Sequence, residues 1–462
     1  MLVHQLISQG QPSTIAFHSP KEISYAQLQK ECFEYRNFFY HQGIRAGENV
    51  GLFSRNSAEF VYSYMALSSL GAIVVPLNFQ LTAREIAYIV KDAQMKCLVT
   101  MEALDIAAEL NQQGYSVDVT QLILPEFSGI FAANRFDQAP SFEDAIEETS
   151  PCVIIYTSGT TGNPKGAILT HKSLISNAYA FGSVLPPGSS LDNILCVLPM
   201  YHSFAWTCSV LYPLTLGASI TILDGFTPKE TLAAIKEKSV TIVFGVPPIY
   251  NYLTRIGTPE DMESVRTFVS GGAVDKAKFR SIGKPLPGVT VRIVNTKGET
   301  MPVDAVGELV VQGPNVMQGY YNLPVETSRA LRNNWLHTGD IAYQDADGYL
   351  FIVDRLKDMI IINGENVYPR EIEEILYAFP GVVEAAVIGV PDTLRGEAVR
   401  AYIVMEEGCS MDRKAIRNYL QPLLAAYKVP RDILLMDTLP KNKTGKIMKR
   451  LLREQLEIDN AR

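Results

Sequence analysis

The sequence predicts an α/β fold in two parts, with a large N-terminal α/β domain of layered sheets and helices and a small C-terminal α+β domain. Its 462 residues are enough for roughly three lobes at about 150 residues each. Apolar residues make up 47% and charged residues 19% of the chain, which excludes a disordered protein. Helical and strand-like patterns alternate along the chain, as is typical of sheets covered by helices.

The first well-defined elements lie between residues 56 and 91. Apolar residues spaced three or four apart over residues 60–70 predict a helix that Gly71 ends. Asn56, followed three residues later by Glu59, predicts a capping box at its start. The β-branched run at residues 73–77 predicts a strand, and residues 84–91 predict a second helix.

Short apolar runs further along the chain predict buried strands, at residues 152–156, 195–198, 240–244 and 265–269. From Gly307 onward the pattern favours strands, and over about the last hundred residues helices and strands alternate again. The change near residues 354–357 predicts a domain boundary. The predicted domains are therefore residues 1–354 and 355–462.

Charge and cysteine usage exclude several classes of protein. Lys and Arg number 41 and Asp and Glu 49, for a net charge of −8, whereas a nucleic-acid-binding protein needs a basic face. The six cysteines form no CxxC pair, so we expect buried, reduced thiols in a cytoplasmic protein. The start has no signal-peptide pattern, and polar residues interrupt the apolar stretch at residues 62–77, so no integral membrane segment is predicted.

The segment YTSGTTGNPKG, residues 156–166, follows a predicted strand and combines glycines, hydroxyl side chains, that of Tyr156 included, and one lysine. Glycines allow backbone N–H groups to converge on an anion, and a lysine supplies a point charge for phosphate. Pro164 stands where a Walker A loop has glycine, so that motif is excluded. The candidate phosphate-binding residues are Thr157, Ser158, Gly159, Thr160, Thr161, Gly162 and Lys165.

This segment resembles the pyrophosphate-binding loop of the adenylate-forming superfamily, which includes the acyl-CoA synthetases. The resemblance extends from about Ile23 to Ile447, because several separate motifs occur in the same order. It implies the adenylate-forming architecture and a reaction that joins a carboxylate to ATP, which gives an acyl-adenylate and pyrophosphate. Most members then transfer the acyl group to a thiol.

Further motifs imply roles for individual residues. LPMYHSFAW, residues 198–206, resembles a segment that lines the acyl site, which implies that His202 and Trp206 contact the acid. VSGGA, residues 269–273, resembles the turn beside the adenine and the acyl carboxylate, at Gly271, Gly272 and Ala273. HTGD, residues 337–340, resembles the ribose motif, in which Asp340 accepts hydrogen bonds from the ribose hydroxyls.

The C-terminal part resembles the family's mobile domain. The resemblance places Arg355 at the ribose or α-phosphate, Lys357 at the hinge of a domain rotation and Gly364 beside the pantetheine arm of coenzyme A. Lys446, in LPKNKTGKI, matches the catalytic lysine, and its ammonium group would stabilise the negative charge of the transition state. Lys446 and Thr161 are the catalytic candidates.

One family motif is missing. SIGKPLPG begins at Ser281, with only the seven residues VDKAKFR between it and Ala273, and no Tyr-Gly-x-Thr-Glu motif occurs. A block of roughly forty residues, the length of a βα unit, is therefore predicted to be absent near residues 273–280. The motif's Glu holds Mg²⁺ in the family, so the metal ligands here stay unknown. Three explanations of the gap stay open: a loss in the gene record, a natural variant, and a segment omitted from the sequence. The loss of a helix and a strand predicts an opened sheet edge and uncovered apolar surface.

The resemblance implies an AMP-forming acyl-CoA synthetase that uses ATP, Mg²⁺ and coenzyme A. Overall similarity and Trp206 favour a medium- or long-chain fatty acid or a related carboxylic acid as substrate. A homodimer is compatible with this prediction. The alternative is a nucleotide- or acyl-binding variant with impaired adenylation, because the Tyr-Gly-x-Thr-Glu block is missing. A peptide-synthetase adenylation domain and a luciferase-like oxidase are disfavoured.

Overall fold

The computed structural model describes residues 1–141, 145–157, 164–270, 281–355, 358–362, 365–392, 396–406, 409, 412–424, 426–441, 445 and 447–460. Its internal contacts divide the chain into two compact units. The first comprises Met1–Val274, Pro285–Thr290 and Val311–Leu336, and the second comprises Asp275–Lys284, Val291–Val310 and His337–Arg462. The predicted boundary between Asp354 and Arg355 remains a prediction.

The strands are short, as is usual for α/β proteins. In chain order they are β1 (Ile15–Ser19), β2 (Lys21–Ser24), β3 (Asn49–Phe53), β4 (Ile73–Leu77), β5 (Cys97–Thr100), β6 (Thr120–Ile123), β7 (Pro151–Thr157), β8 (Lys165–Thr170), β9 (Asn193–Cys196), β10 (Ser219–Ile222), β11 (Ile242–Gly245), β12 (Thr267–Ser270), β13 (Thr290–Val294), β14 (Gly307–Gln312), β15 (Gly319–Tyr320), β16 (Leu331–Arg332), β17 (Trp335–Gln344), β18 (Leu350–Arg355), β19 (Ile360–Ile362), β20 (Glu365–Val367), β21 (Val382–Asp392), β22 (Gly396–Met405) and β23 (Asp432–Leu435).

The helices occupy most of the connections between these strands. They are α1 (Tyr25–His41), α2 (Ala58–Ser69), α3 (Ala83–Asp92), α4 (Ala107–Gln112), α5 (Phe127–Ala133), α6 (His171–Val184), α7 (Ser203–Ala205), α8 (Tyr212–Leu216), α9 (Pro228–Glu237), α10 (Pro247–Ile256), α11 (Pro324–Ala330), α12 (Pro369–Tyr377), α13 (Arg413–Leu420) and α14 (Lys449–Asn460). A π-helical segment, Trp206–Leu211, separates α7 from α8.

The first unit contains two sheets. Sheet A has the strand order β12-β11-β9-β10-β1-β2, and sheet B has the order β15-β8-β7-β4-β3-β5-β6. Most neighbouring strands in both sheets are parallel, whereas β7 and β8 form an antiparallel pair. Helices cover these sheets, which gives the predicted layered α/β arrangement.

The core of the first unit is built from large side chains of the early elements. Phe17, Tyr25, Phe39 and Phe60 are fully buried. The hydroxyl of Tyr25 donates a hydrogen bond to the carbonyl oxygen of Ala218 over 2.7 Å, so burial of this ring leaves its polar atom satisfied.

The predicted capping box at Asn56 is wrong. Ser57 caps α2, because its side-chain oxygen accepts a hydrogen bond from the Phe60 N–H. The Asn56 amide is buried and is occupied elsewhere: its nitrogen donates to the Leu198 carbonyl over 2.9 Å, and its oxygen accepts from the Met200 N–H over 2.7 Å. Asn56 therefore fixes the segment that precedes His202, a role that local spacing does not reveal.

The second unit has a core of its own around a sheet in the order β20-β19-β22-β21, to which β23 pairs at β22. Ile360, Ile372, Ile403 and Ile416 are buried in this core. Glu373 and Lys449 form a 2.8 Å ion pair between α12 and α14. A further sheet has the order β13-β14-β17-β16, with β18 paired to β17.

The predicted fold class is confirmed, and the main errors are shifts of element ends. The strand predicted at residues 195–198 begins two residues earlier, as β9. The strands predicted at residues 240–244 and 265–269 begin two residues later, as β11 and β12. No described helix combines the length and apolar character needed to cross a membrane. All six cysteines are free thiols, but burial was predicted for all of them and Cys409 is exposed.

Candidate functional site

The β7–β8 hairpin carries the predicted phosphate-binding loop. Thr157 at the end of β7 pairs in register with Lys165 at the start of β8, so the two residues face each other at the ends of the loop. Ser158, Gly159, Thr160, Thr161 and Gly162 lie outside the described residues. The described ends thus bring one hydroxyl and one ammonium group to the same end of the hairpin.

Helix α3 holds both ends of this loop. The Tyr156 hydroxyl donates to the Asp92 carboxylate over 2.5 Å, and the Tyr88 hydroxyl donates to the Pro164 carbonyl over 3.3 Å. Burial and the Asp92 carboxylate raise the pKa of Tyr156 well above its usual value. Tyr156 was counted among the hydroxyls of the loop, and the structure corrects this, because its hydroxyl binds Asp92 instead.

The surroundings of Lys165 suit a nucleotide phosphate. Its ammonium nitrogen lies 5.5 Å from the centre of the Tyr320 ring, at the long end of the cation–π range. Tyr320 belongs to β15, which pairs with β8. Thr157 faces Lys165 at the same end of the hairpin and is exposed. A cation at the mouth of a glycine-rich turn is the arrangement that binds phosphate oxygens, so the described ends of the loop fit ATP.

His202 lies at the beginning of α7. Its Nδ1 accepts a hydrogen bond from the Phe204 N–H over 3.2 Å, so the imidazole caps this short helix. The side chain keeps a solvent-accessible surface, while neighbouring atoms partly desolvate the ring and lower its pKa. Because Nδ1 accepts this bond, the neutral imidazole carries its proton on Nε2 and is able to donate a hydrogen bond to a bound carboxylate.

Trp206 is packed in the core and borders a cavity. It is 4% exposed, and its ring lies 4.1 Å from that of Tyr64 and 5.6 Å from that of Phe60. The cavity has a volume of about 190 Å³. Its walls come from α2, β4, β7, β8, α6, the segment around His202 and Asn315. Apolar side chains, among them Val153, Ile155, Leu169, Leu174, Met200 and Trp206, line it together with the polar side chains of Ser173, Asn177, Ser203, Thr207 and Asn315.

The HTGD segment forms part of β17 in the second unit. Asp340 pairs in register with Arg355 of β18, so the two residues assigned to the ribose and α-phosphate occupy adjacent backbone positions. The register shifts between Ile341 and Ala342, and such an irregularity re-aims the side chains next to it. The structure therefore brings together this pair, which lies fifteen residues apart in the sequence.

The other predicted site residues lie outside the described residues, and their roles remain predictions. They are Gly271, Gly272, Ala273, Lys357, Gly364 and Lys446. Within the described part of the chain, no group of three His, Cys, Asp or Glu side chains could hold a metal ion.

Sheet A ends at β12, beside the region where the missing block was predicted. Among the described strands β12 pairs only with β11. Phe268 on this strand is 49% exposed, and its ring lies 6.0 Å from that of Tyr250. An exposed aromatic side chain on a terminal strand is what the loss of a covering unit predicts.

Comparison with known protein families shows that these segments all lie within matches to one enzyme family or beside them. A model of the AMP-binding enzyme family matches residues 5–278 and 273–321, and a model of the AMP-binding enzyme C-terminal domain matches residues 371–446. The ATP-bound structure of MatB from Rhodopseudomonas palustris is 28% identical and superimposes with a TM-score of 0.86, covering 98% of this chain and 99% of that one.

Curated relatives cover the same length. A feruloyl-CoA synthase from an Amycolatopsis species is 33% identical over 486 residues, covering 95% of this chain and 94% of the relative. A long-chain-fatty-acid–CoA ligase from Bacillus subtilis strain 168 is 30% identical over 515 residues, covering 96% and 91%. The resemblance to adenylate-forming enzymes is thereby confirmed.

The lengths of these matches can be set beside the predicted gap. The family match falls into two pieces that meet at residues 273–278. In the alignment with the feruloyl-CoA synthase, 95% of 462 residues is about 439, so about 47 of the 486 aligned positions have no residue in this chain. These positions are counted over the whole alignment, and the loss of one βα unit near residues 273–280 remains a prediction.

Proposed function

This chain belongs to the AMP-binding enzyme family, its relatives support an ATP-dependent acid–CoA ligase, and we propose that its acid has an apolar body of medium size. A medium-chain fatty acid is the first candidate, and an aryl acid of similar volume is the second. One relative is named for ferulate and another for long-chain fatty acids, so family membership leaves the acid open.

The observation that carries the nucleotide part of the proposal is the β7–β8 hairpin. Its paired ends place Thr157 and Lys165 together, and α3 holds the residues on either side of the loop. Lys165 would neutralise phosphate charge, and Asp340 would accept hydrogen bonds from the ribose hydroxyls.

The proposed reaction has two steps. A carboxylate oxygen attacks the α-phosphorus of ATP, the bond to the pyrophosphate oxygen breaks, and acyl-AMP and pyrophosphate form. The sulfur of coenzyme A then attacks the acyl carbonyl carbon, the thiol proton is lost to solvent, and AMP leaves. Lys446 would stabilise the added negative charge in the first step, and a rotation at Lys357 would then bring Gly364 beside the thiol arm.

The cavity beside Trp206 supports the size of the acid. Its volume of about 190 Å³ is slightly larger than the roughly 150 Å³ apolar cavity that holds one benzene molecule. A ring with a small substituent, or a chain of about eight carbons, matches this space. The medium-chain part of the prediction is therefore retained in preference to the long-chain part.

The test is pyrophosphate release by the purified chain with ATP, Mg²⁺ and octanoate, ferulate or palmitate. We expect turnover with the first two acids above that of a Lys446→Ala control and little turnover with palmitate. Turnover with palmitate alone would contradict the proposed size. Equal rates in the protein and its control would contradict the ligase.

The absence of a Tyr-Gly-x-Thr-Glu motif from the sequence favours a second candidate, a nucleotide- and acyl-binding protein with impaired adenylation. Mg²⁺ is usually held by one or two carboxylates, and the family motif that supplies one is missing from the sequence. This candidate predicts ATP binding by calorimetry together with pyrophosphate release no faster than that of Lys446→Ala. The intact mass of the purified protein, compared with the mass that the re-sequenced gene encodes, shows whether the block is truly absent.

A further inference from the structure

We propose that Glu308 is a positioning residue for nucleotide binding, because it holds the turn that presents Asp340. This inference rests on the proposed function, in which the Asp340 carboxylate accepts hydrogen bonds from the ribose. Glu308 belongs to the GELVVQG segment, to which the sequence assigned no chemistry. All the residues involved lie in the second unit.

Both carboxylate oxygens of Glu308 bind the HTGD turn. Oε2 lies 2.7 Å from His337 Nδ1, and Oε1 accepts a hydrogen bond from the Gly339 N–H over 3.2 Å. One side chain on β14 therefore grips the residues on either side of Thr338. A bidentate carboxylate contact fixes orientation as well as distance.

Thr338 connects the contacts of β14 to Asp340 through two hydrogen bonds. The Thr338 hydroxyl donates to the Leu309 carbonyl over 2.7 Å and accepts from the Asp340 N–H over 3.1 Å. Adjacent residues of β14 thus hold the turn twice, by the Glu308 side chain and by the Leu309 backbone. The Asp340 backbone is the end of this chain of contacts.

The conformation of the turn explains why it needs such support. Gly339 has a φ of +71°, a left-handed conformation that glycine adopts readily and that also leaves it conformationally free. The side chains of Glu308 and His337 are only 17% and 15% exposed. Reduced competition from water strengthens their contact, so Glu308 helps to fix the backbone conformation at Gly339.

The test compares the binding of AMP and 2′-deoxy-AMP by isothermal titration calorimetry, so it does not depend on turnover. If Asp340 binds the ribose, the wild-type protein prefers AMP by about tenfold or more, as expected for one hydrogen bond to a carboxylate. We expect Asp340→Ala to abolish this preference and Glu308→Ala to reduce it at least threefold. The double variant should match Asp340→Ala, because Glu308 acts only through Asp340.

Glu308→Gln is the second variant, because its amide oxygen still accepts the Gly339 N–H while the contact to His337 is weakened. We expect an intermediate preference, which also keeps the test valid if Glu308→Ala fails to fold. A purely structural Glu308 would weaken both ligands equally and leave the preference at its wild-type value, which would overturn the inference alone. A wild-type protein without preference, or an Asp340→Ala variant that retains it, would overturn the ribose assignment and this inference together.

Discussion

Sheets A and B share one architecture but end differently at the edges that carry site segments. In sheet B, β15 covers the edge of β8, and the loop between β7 and β8 is held by Tyr88 and Asp92 of α3. In sheet A, β12 is terminal among the described strands and exposes Phe268. The two pieces of the family match overlap just beyond β12, at residues 273–278, next to the place where the missing motif is predicted.

The largest expected effect comes from restoring the sheet A edge. A segment of roughly forty residues that carries the Tyr-Gly-x-Thr-Glu motif would be inserted after Ala273. We expect pyrophosphate release to rise by about 100-fold or more, because a held metal ion stabilises phosphoryl transfer by several kcal/mol. The control is the same insertion with the Glu of its Tyr-Gly-x-Thr-Glu motif changed to Gln. Equal rates for the two insertions, or for the insertion and the present chain, would show that the two edges do not differ in the proposed way.

The contrast between the edges also explains what the sequence could predict. The phosphate-binding loop was found because its residue types are contiguous, and the fold class followed from alternating patterns of residues in the same way. Glu308, Asp92 and Tyr88 were missed because each contacts a segment that is distant in sequence. Glu308 reaches His337 across 29 residues and Asp92 reaches Tyr156 across 64, and no local spacing rule encodes such contacts.

The error at Asn56 has the same physical origin. Local pattern made it a helix cap, but its amide binds Leu198 and Met200, more than 140 residues away. Short polar side chains satisfy nearby or distant backbone groups equally well, and only the packed structure decides between them. The residues around a site are therefore harder to predict than the motif within it.

A second prediction tests how the sheet B side depends on pH. His171 begins α6 directly after β8, and its Nδ1 accepts a hydrogen bond from the Val3 N–H. Burial, with a smaller contribution from the N-terminal ammonium group, lowers the pKa of His171 to about 4. The unfolded chain, with a His pKa of about 6.5, therefore binds more protons between these values. The contribution of His171 to the free energy of unfolding is fully present above about pH 6.5. It is lost as the pH drops toward 4, which lowers the free energy of unfolding by about 3 kcal/mol.

The measurement is the free energy of unfolding from urea titrations between pH 4.5 and 7.5. His171→Asn keeps an acceptor for the Val3 N–H but does not titrate, so we expect a shallower dependence, by up to one proton. His41→Asn is the matched control, because His41 is exposed on the surface. If the two variants have the same slope, the buried imidazole does not set the acid sensitivity of this region.

A third prediction compares one tyrosine anchor on each side. Tyr156 of sheet B donates to the Asp92 carboxylate. The Tyr250 hydroxyl has its one proton within reach of two neutral carbonyl groups of sheet A, that of Val269 at 2.6 Å and that of Val243 at 3.0 Å. Hydrogen bonds to charged groups contribute about 1.5–3 kcal/mol and neutral ones about 1 kcal/mol. We therefore expect Tyr156→Phe to lower the free energy of unfolding by about 2 kcal/mol and Tyr250→Phe by about half as much.

The same two variants separate stability from nucleotide binding. Tyr156→Phe should also weaken ATP binding in calorimetry, because it releases one end of the phosphate-binding loop, whereas Tyr250→Phe should not. A larger destabilisation by Tyr250→Phe, or an equal loss of ATP affinity in both variants, would remove the difference between the two edges.

The smallest expected effect concerns the cavity that borders both the hairpin and the segment around His202. Trp206→Phe keeps an aromatic ring against Tyr64 and lengthens the cavity by a little more than one methylene. Each additional buried methylene contributes about 0.8 kcal/mol, so affinity should shift about fourfold per carbon toward longer acids. Binding of octanoate, decanoate and dodecanoate by calorimetry measures this shift. Trp335→Phe is the control, because Trp335 does not line the cavity, and an equal shift in both variants would mean that Trp206 does not limit the length of the acid.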